Sequence, residues 1–146
     1  MKITKDYEGL VRIENGDYVL SEDLISNDNI EINLDDRFVV NGKINTTKSI
    51  ISNVTVMVSC GIEAGEGIEA GCGIEAKSFI KAEKRIFAGT SVYRTNDDCD
   101  KTIKCAELQK GDICFGELVI TQQEIVMTIS EIEAKLGIKN LKIKED

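Results

Sequence analysis

The side chains that could carry chemistry in this chain of 146 residues are carboxylates, amines and thiols, because histidine is absent. Histidine is the commonest general base near neutral pH and a frequent metal ligand. Its absence excludes Ser-His-Asp, Cys-His and histidine–metal sites within a single chain. No Cys-x-x-Cys pair occurs among the five cysteines, which are Cys60, Cys72, Cys99, Cys105 and Cys114. We therefore predict free, buried thiols that act as small apolar residues, and no catalytic site, metal site or cofactor.

The chain is acidic, with 26 acidic and 18 basic residues and a formal net charge of −8. A surface of this sign repels phosphate backbones, so we predict no direct binding to nucleic acid. The excess lies towards the ends: residues 1–31 carry 8 acids and 3 bases, net −5, while residues 32–95 carry 7 acids and 8 bases, net +1. Two interpretations stay open, namely solubility and a docking surface for a basic partner.

The hydropathy of the sequence gives no sign of a membrane protein. No apolar run approaches the length of a membrane span, and the first ten residues lack the apolar core of a signal peptide. Together with the free thiols, this predicts a cytoplasmic protein without membrane contact.

A period of six residues runs through the middle of the chain, and the elements that it forms must position any functional side chains. Eleven consecutive hexads, from Ile32 to Val92, carry an apolar residue at the same place, and ten of the eleven carry a small or apolar residue two places later. The repeated Ile-x-Ala is typical of a three-residue strand with two side chains inside and one outside. Gly65, Gly67 and Gly71 stand between such strands. We predict a mainly β fold, a triangular parallel β-helix with about 18 residues in each coil.

Stacking of these coils predicts which side chains lie above one another. The inner ladders are Ile32, Ile50, Ile68 and Ile86; Phe38, Val56, Ile74 and Val92; and Ile44, Ile62 and Ile80. The outer columns are Asn33, Ile51, Glu69 and Phe87; Val39, Met57, Glu75 and Tyr93; and Asn45, Glu63 and Lys81. Two of these columns are partly apolar, so either the terminal segments cover them or a second copy or a partner does.

The flanking segments divide the chain into four parts. Residues 1–31 are predicted to form a hairpin cap, turning at Asn15 and Gly16, over the open end of the first coil. Residues 32–95 form the β-helix, residues 96–120 form extension strands, and residues 121–146 form a strand-helix-strand module. Ser130 and Glu133 make a capping box that opens the helix of this αβ module. The module either caps the β-helix or forms a dimer contact.

Two further chemical hypotheses are weaker. The loop of Asp97, Asp98 and Asp100 could hold calcium, but the EF-hand spacing with its later glutamate is absent, which favours a solvated loop. Clustered carboxylates could cleave or bind polysaccharide. However, the regular acids Glu63, Glu69 and Glu75 are expected to point outward from different sides of the coil.

The hexads resemble two groups of repeat proteins and differ from a third. Hexapeptide acyltransferases place a small residue four positions after the aliphatic one and use a histidine, whereas this chain has Glu66 and Lys84 at such positions and no histidine. Residues 32–95 resemble the bactofilin-type β-helix, whose uncapped ends polymerise. They resemble still more closely the Ile-x-Ala-Gly repeat proteins of phages and prophages of Gram-positive bacteria, through runs such as GIEAGCGIEA.

The phage resemblance implies a non-enzymatic protein in the bacterial cytoplasm that binds and blocks a host protein, such as a nuclease or another defence component, as anti-CRISPR proteins do. The bactofilin resemblance implies the alternative, a self-assembling structural protein. Aromatic and arginine side chains anchor many interfaces, and the exposed residues expected to bind a partner are Glu69, Phe87, Glu75, Tyr93, Arg94, Asp97, Asp98 and Asp100. We also expect a homo-oligomer, with a dimer favoured, and Val39, Ile51 and Met57 are the candidates for self-association.

Overall fold

The computed structural model describes residues 1–90 and 101–121 of the chain. Within these residues it contains sixteen β-strands and no helix, and the strands stack into a β-solenoid of about 5 turns, about 18 residues apart. The prediction of a mainly β, parallel β-helical fold is confirmed. In chain order the strands are β1 Lys2–Ile3, β2 Leu10–Arg12, β3 Tyr18–Leu20, β4 Leu24–Ser26, β5 Ile30–Ile32, β6 Phe38–Val40, β7 Ile44–Thr46, β8 Ile50–Ser52, β9 Val56–Val58, β10 Ile62–Ala64, β11 Ile68–Ala70, β12 Ile74–Ala76, β13 Phe79–Ala88, β14 Thr102–Cys105, β15 Glu107–Phe115 and β16 Glu117–Ile120.

Each turn has three sides, and the strands stacked on one side form a face of the solenoid. The first face contains β3, β6, β9, β12, β14 and β16, in this order. The second face contains β4, β7, β10 and the first half of β13, and the third contains β1, β5, β8, β11 and the second half of β13. β15 runs parallel to the whole of β13 and continues both faces. The solenoid is therefore a three-sided column whose outer side chains are set by strand register.

The inner ladders form because the Ile-x-Ala hexads alternate buried and outward side chains along each short strand. Ile50, Ile68 and Ile86 pair in register on the third face, and each is at most 3% exposed. The ladder of Ile44, Ile62 and Ile80 and the ladder of Phe38, Val56 and Ile74 are equally well aligned. Each such side chain contributes roughly 1.5–3 kcal/mol by burial, so the ladders supply most of the apolar core.

The register of the first coil differs from the prediction by two residues. Ile30, not Ile32, pairs with Ile50, and the same spacing of 20 residues joins Tyr18 to Phe38. The two extra residues lie between Ile30 and Phe38, where the side chain of Leu34 is also buried. The error has a simple cause, because Ile30 and Ile32 are both apolar and fit an alternating strand in either register.

The coil also begins earlier than residue 32. The predicted hairpin is present, since β2 pairs antiparallel with β3. However, β3, β4 and β5 stack in parallel on β6, β7 and β8, so they form the first turn of the solenoid. β1 lies on β5, and β1 and β2 together cover two of the three sides at the N-terminal end.

The C-terminal coils continue the stack, but the residue that stacks on Ile74 differs from the one predicted. Ile103 pairs with Ile74 and takes the ladder position expected for Val92, and Lys104 lies beside Glu75 at the position expected for Tyr93. The predicted strand break at Lys110, Gly111 and Asp112 falls inside β15, which is continuous. The strands of the predicted extension are thus further turns of the solenoid. The predicted C-terminal module lies outside the described residues, apart from Thr121.

Candidate protein-binding face

The outer side chains of the third face form a single column that mixes apolar and acidic groups. Strand pairing aligns Ile51 with Glu69, Glu69 with Phe87, and Phe87 with Phe115. Ile51 is 41% exposed and Phe115 is 47% exposed, while Phe87 is half-buried and Glu69 is exposed. Most single apolar residues on a surface carry no meaning, but a column of them beside a groove is typical of an interaction site. We call these four residues the third-face column.

A groove of about 630 Å³ runs along this column towards the corner between the second and third faces. Its lining includes Ile51, Glu69, Phe87 and, at the corner, Arg85. Gly67 forms part of the floor, and a Cβ atom there would lie 3.0 Å from the main-chain oxygen of Arg85. The absence of a side chain at Gly67 therefore lets β13 pass close to the turn below it and keeps the groove open.

Two of the carboxylates around the groove, those of Glu66 and Glu83, have partners within the chain. The Glu66 carboxylate accepts a hydrogen bond from the Ser49 hydroxyl at 3.2 Å. Glu83 forms ion pairs with Lys110 and, at 3.9 Å, with Lys81. The hydrogen bond from Lys110 lowers the pKa of Glu83. These contacts hold the turns in place, and the two lysines offset the negative charge of Glu83.

Two exposed cations line this groove without an ion pair among the described residues: Lys84 and, on the same strand as Phe87, Arg85. Asp112 lies beside it in strand register, yet no ion pair joins the two, and Arg85 has no ion pair among residues 1–90 and 101–121. An unpaired guanidinium offers five donors in a planar fork that suits a carboxylate. Arg85 lies two residues from Phe87 on the same strand. The two side chains together suit a partner surface that is apolar and carries a carboxylate.

Arg85 does not stand out in the hexad pattern of the sequence. The signal that could have revealed it is its position directly before the inward Ile86, at the corner where the hexad pattern changes from GIEAGE to FIKAEK and RIFAGT. At that corner β13 runs through the turn as one strand of 10 residues. Arg85 is therefore held by a continuous strand rather than by a loose loop.

The predicted partner-binding residues do not lie on a single face of the solenoid. Glu69 and Phe87 are neighbours on the third face, as expected. Glu75 lies on the first face, beside Met57 and Lys104, so it is not part of the same surface. The remaining predicted residues, Tyr93, Arg94, Asp97, Asp98 and Asp100, lie outside the described residues.

The candidates for self-association also lie on two different faces. Val39 and Met57 pair in register on the first face, where a shallow groove of about 210 Å³ runs along them to Glu75. Ile51 belongs to the third-face column instead. Consequently these three residues do not form one patch, because residues 6 apart in a hexad repeat lie on adjacent sides of the coil.

A cluster of polar side chains ties the N-terminal segment to the first turn. The Tyr18 hydroxyl donates a hydrogen bond of 2.6 Å to Asp35, and the Lys5 ammonium lies 3.0 Å from the same carboxylate. These two donors lower the pKa of Asp35 to about 2, with the Tyr18 hydrogen bond as the larger cause. The same contacts raise the pKa of Lys5 and of Tyr18. Asp35 thus fixes the strand that covers the end of the core.

The described residues give no sign of a metal centre or a membrane span. Residues 1–90 and 101–121 contain no group of three or more metal-ligating His, Cys, Asp or Glu side chains. The same residues contain no helix with the length and hydropathy needed to cross a membrane. Glu63, Glu69 and Glu75 lie on the second, third and first faces respectively, which separates their carboxylates.

The chain was compared with family models, curated proteins and solved structures. No family model, no curated protein and no solved structure matches the chain.

Proposed function

We propose that this chain is a non-enzymatic phage or prophage protein that binds a host protein in the bacterial cytoplasm and blocks it, as anti-defence proteins of the anti-CRISPR kind do. The binding site is the third-face column with Arg85, and the partner presents an apolar surface with a carboxylate. The solenoid itself is a rigid support, because its outer side chains stand on strands whose inner side chains are fully packed.

The observation that carries this proposal is that Phe87 and Arg85 lie two residues apart at the edge of an open groove, and that Arg85 forms no ion pair within residues 1–90 and 101–121. Phenylalanine and arginine are enriched in interface cores, and a few such residues usually supply most of the binding free energy. Ile51 extends the apolar part of the site by two turns of the solenoid. Glu69 lies between Ile51 and Phe87 in the column. Its carboxylate favours a partner that carries a hydrogen-bond donor between two apolar contacts.

Site-specific crosslinking in the host cytoplasm tests the location of this surface. A photoreactive benzoylphenylalanine is placed at Phe87 and, as a matched control, at Asn45, which is an outward residue of the second face. We expect one stoichiometric adduct from position 87 and none from position 45. Arg85→Glu should abolish the adduct, whereas Lys43→Glu, a charge reversal of another exposed cation, should leave it intact.

The identity of the captured protein then tests the blocking role. A purified defence nuclease or similar enzyme should lose its activity at a 1:1 ratio with this chain, and should keep it in the presence of Arg85→Glu. Equal adducts from both positions, or a captured enzyme that stays fully active in the complex, would contradict the proposal.

A second candidate function is self-assembly of the bactofilin kind, and one specific observation favours it. The last described turn leaves the outer edges of β15 and β16 without a further strand among the described residues. Such edges pair readily with other chains. Concentration-dependent filaments in light scattering and electron microscopy would support this candidate, and a particle of fixed size across the same concentrations would remove it.

A further inference from the structure

The N-terminal half of the first face is apolar on its outer side. Four neighbouring strands, β2, β3, β6 and β9, carry the outward side chains of Val11, Val19, Val39 and Met57 in one column. Val11 is 59% exposed, and the other three are half-buried. Single exposed apolar residues are common, but four in register on one sheet are typical of an interface. We call these four residues the first-face patch.

The surroundings of the patch limit what can cover it. Further along the same face the column changes to Glu75 on β12 and then to Lys104 on β14. The segments outside the described residues adjoin β14 and β16, which lie two and three strands beyond β9. An occupant of the patch must therefore be apolar over four strands and accept charge next to them.

A second copy of the chain meets both requirements if the two columns run in opposite directions. A two-fold axis that is parallel to the strands and passes between β3 and β6 places β3 of each copy on β6 of the other, and β2 on β9. Val19 then faces Val39 of the other copy, and Val11 faces Met57. An axis along the column would instead place Glu75 against Glu75, and such like-charge contacts are unfavourable.

The charges beside the patch favour the same arrangement. Glu8 lies two residues before β2, whose first residue pairs with the last residue of β3, and Lys77 directly follows β12. Both are thus at the corner between the first and second faces. In the antiparallel pair, β12 lies just past β2 of the other copy, which brings Lys77 close to Glu8. Both side chains are exposed, and neither has an ion pair within residues 1–90 and 101–121.

We propose that two copies of this chain pair through their first-face patches, with their columns antiparallel. The contact is isologous, because each copy uses the same surface, so it is satisfied at two. Four strands about 4.8 Å apart, on sides about six residues long, present roughly 400 Å² on each copy. Stable complexes bury about 800 Å² on each partner, so the dimer is weak and depends on concentration. It is independent of partner binding on the third face.

Sedimentation equilibrium of the full chain over a wide range of concentration tests the proposal. The mean mass should rise with concentration from the chain mass of 16.1 kDa towards twice that value. Val39→Lys places an ammonium group in the apolar contact and should raise the dissociation constant at least about tenfold. Ile25→Lys is the matched control, because Ile25 is an outward residue of the second face that is 56% exposed, and it should leave the dimer intact.

Charge reversal tests the antiparallel arrangement. Glu8→Lys places bases opposite bases, and Lys77→Glu places acids opposite acids, so each variant alone should dimerise at least about threefold more weakly. An equimolar mixture of the two should associate like the wild type, because both facing pairs are then of opposite sign. Recovery in the mixture also shows that both variants are folded.

The remaining outcomes overturn the proposal. A wild-type chain that stays monomeric at every concentration means that no second copy binds the patch. Filaments mean that copies meet through their ends. A dimer that survives Val39→Lys but is lost in Ile51→Lys means that copies meet through the third face. Charge variants that do not recover in the mixture contradict the antiparallel arrangement.

Discussion

The claim that hexad register decides which side chains hold the solenoid together can be tested with two neighbouring isoleucines. Ile50 and Ile51 are consecutive residues of β8, and they differ in the side of the strand on which they lie. Ile50 is 1% exposed and stands in a core ladder, whereas Ile51 is 41% exposed on the third-face column. Because both are isoleucine in the same strand, mutation of each to alanine changes the chemistry identically.

The magnitude expected for Ile50→Ala follows from what is removed. Three buried carbon atoms at about 0.8 kcal/mol each give about 2.4 kcal/mol of lost transfer free energy. Ile68 and the neighbouring ladders are held by main-chain hydrogen bonds and cannot collapse into the cavity, which brings the loss to about 3–4 kcal/mol, within the ~2–5 kcal/mol range for such changes. Ile51→Ala should cost less than about 1 kcal/mol, since Ile51 is already 41% exposed to water and its removal leaves no enclosed cavity.

Urea unfolding followed by far-ultraviolet circular dichroism measures both losses. The midpoint should fall strongly for Ile50→Ala and only slightly for Ile51→Ala, with similar slopes. Equal losses for the two variants, or a larger loss for Ile51→Ala, would refute the register, because a shift of one residue exchanges the two faces of a strand.

Two other predictions concern titration and thiol reactivity. Asp35 has its pKa lowered from 3.8 to about 2 in the folded protein, so the stability it contributes is complete above about pH 4 and is lost as the pH falls towards 2. Asp35→Asn should therefore lower the melting temperature at pH 6 and flatten its decline between pH 4 and pH 2; an unchanged decline would contradict the assigned role. Burial raises the pKa of the Cys105 thiol, whereas Cys60 is exposed. Maleimide should modify Cys60 in the folded protein and Cys105 only on unfolding, as mass spectrometry can show, and early labelling of Cys105 would contradict its place in the core.

The central coils could be predicted from the sequence because their repeat is nearly perfect. Ile-x-Ala at a period of six gives both the strand and its direction, and the ladder of Ile50, Ile68 and Ile86 and the ion pair of Glu63 with Lys81 at 3.5 Å both follow from it. The neighbouring positions of Glu69 and Phe87 on one face followed in the same way.

The ends of the solenoid could not be predicted in this manner. At the N-terminal end the sequence Ile30-Glu31-Ile32 alternates in a way that satisfies two registers, and the choice is made by the buried Leu34 in the corner that follows. At the C-terminal end Ile103 takes the position expected for Val92. It pairs with Ile74 at a spacing of 29 residues instead of 18, and a fixed period cannot show such a change of spacing.

Arg85, a central side chain of the candidate site, could not be predicted from the hexads for a related reason. The hexads assign inner and outer positions within strands, but they assign none at corners. β13 continues through its corner as a strand, so a residue that would otherwise lie in a turn becomes part of a face. Arg85 also forms no ion pair among the described residues, and only the three-dimensional arrangement shows this.

The most direct test of the central claim is the affinity of the purified partner for wild-type and Phe87→Ala chains, measured by isothermal titration calorimetry. An anchor residue of an interface contributes at least about 2 kcal/mol, which corresponds to about 30-fold in the dissociation constant. We predict a loss of this size for Phe87→Ala and less than about threefold for Lys43→Ala, with unfolding curves showing that both variants are folded. Binding by Phe87→Ala that equals that of the wild type would contradict the claim that the third face is the binding surface.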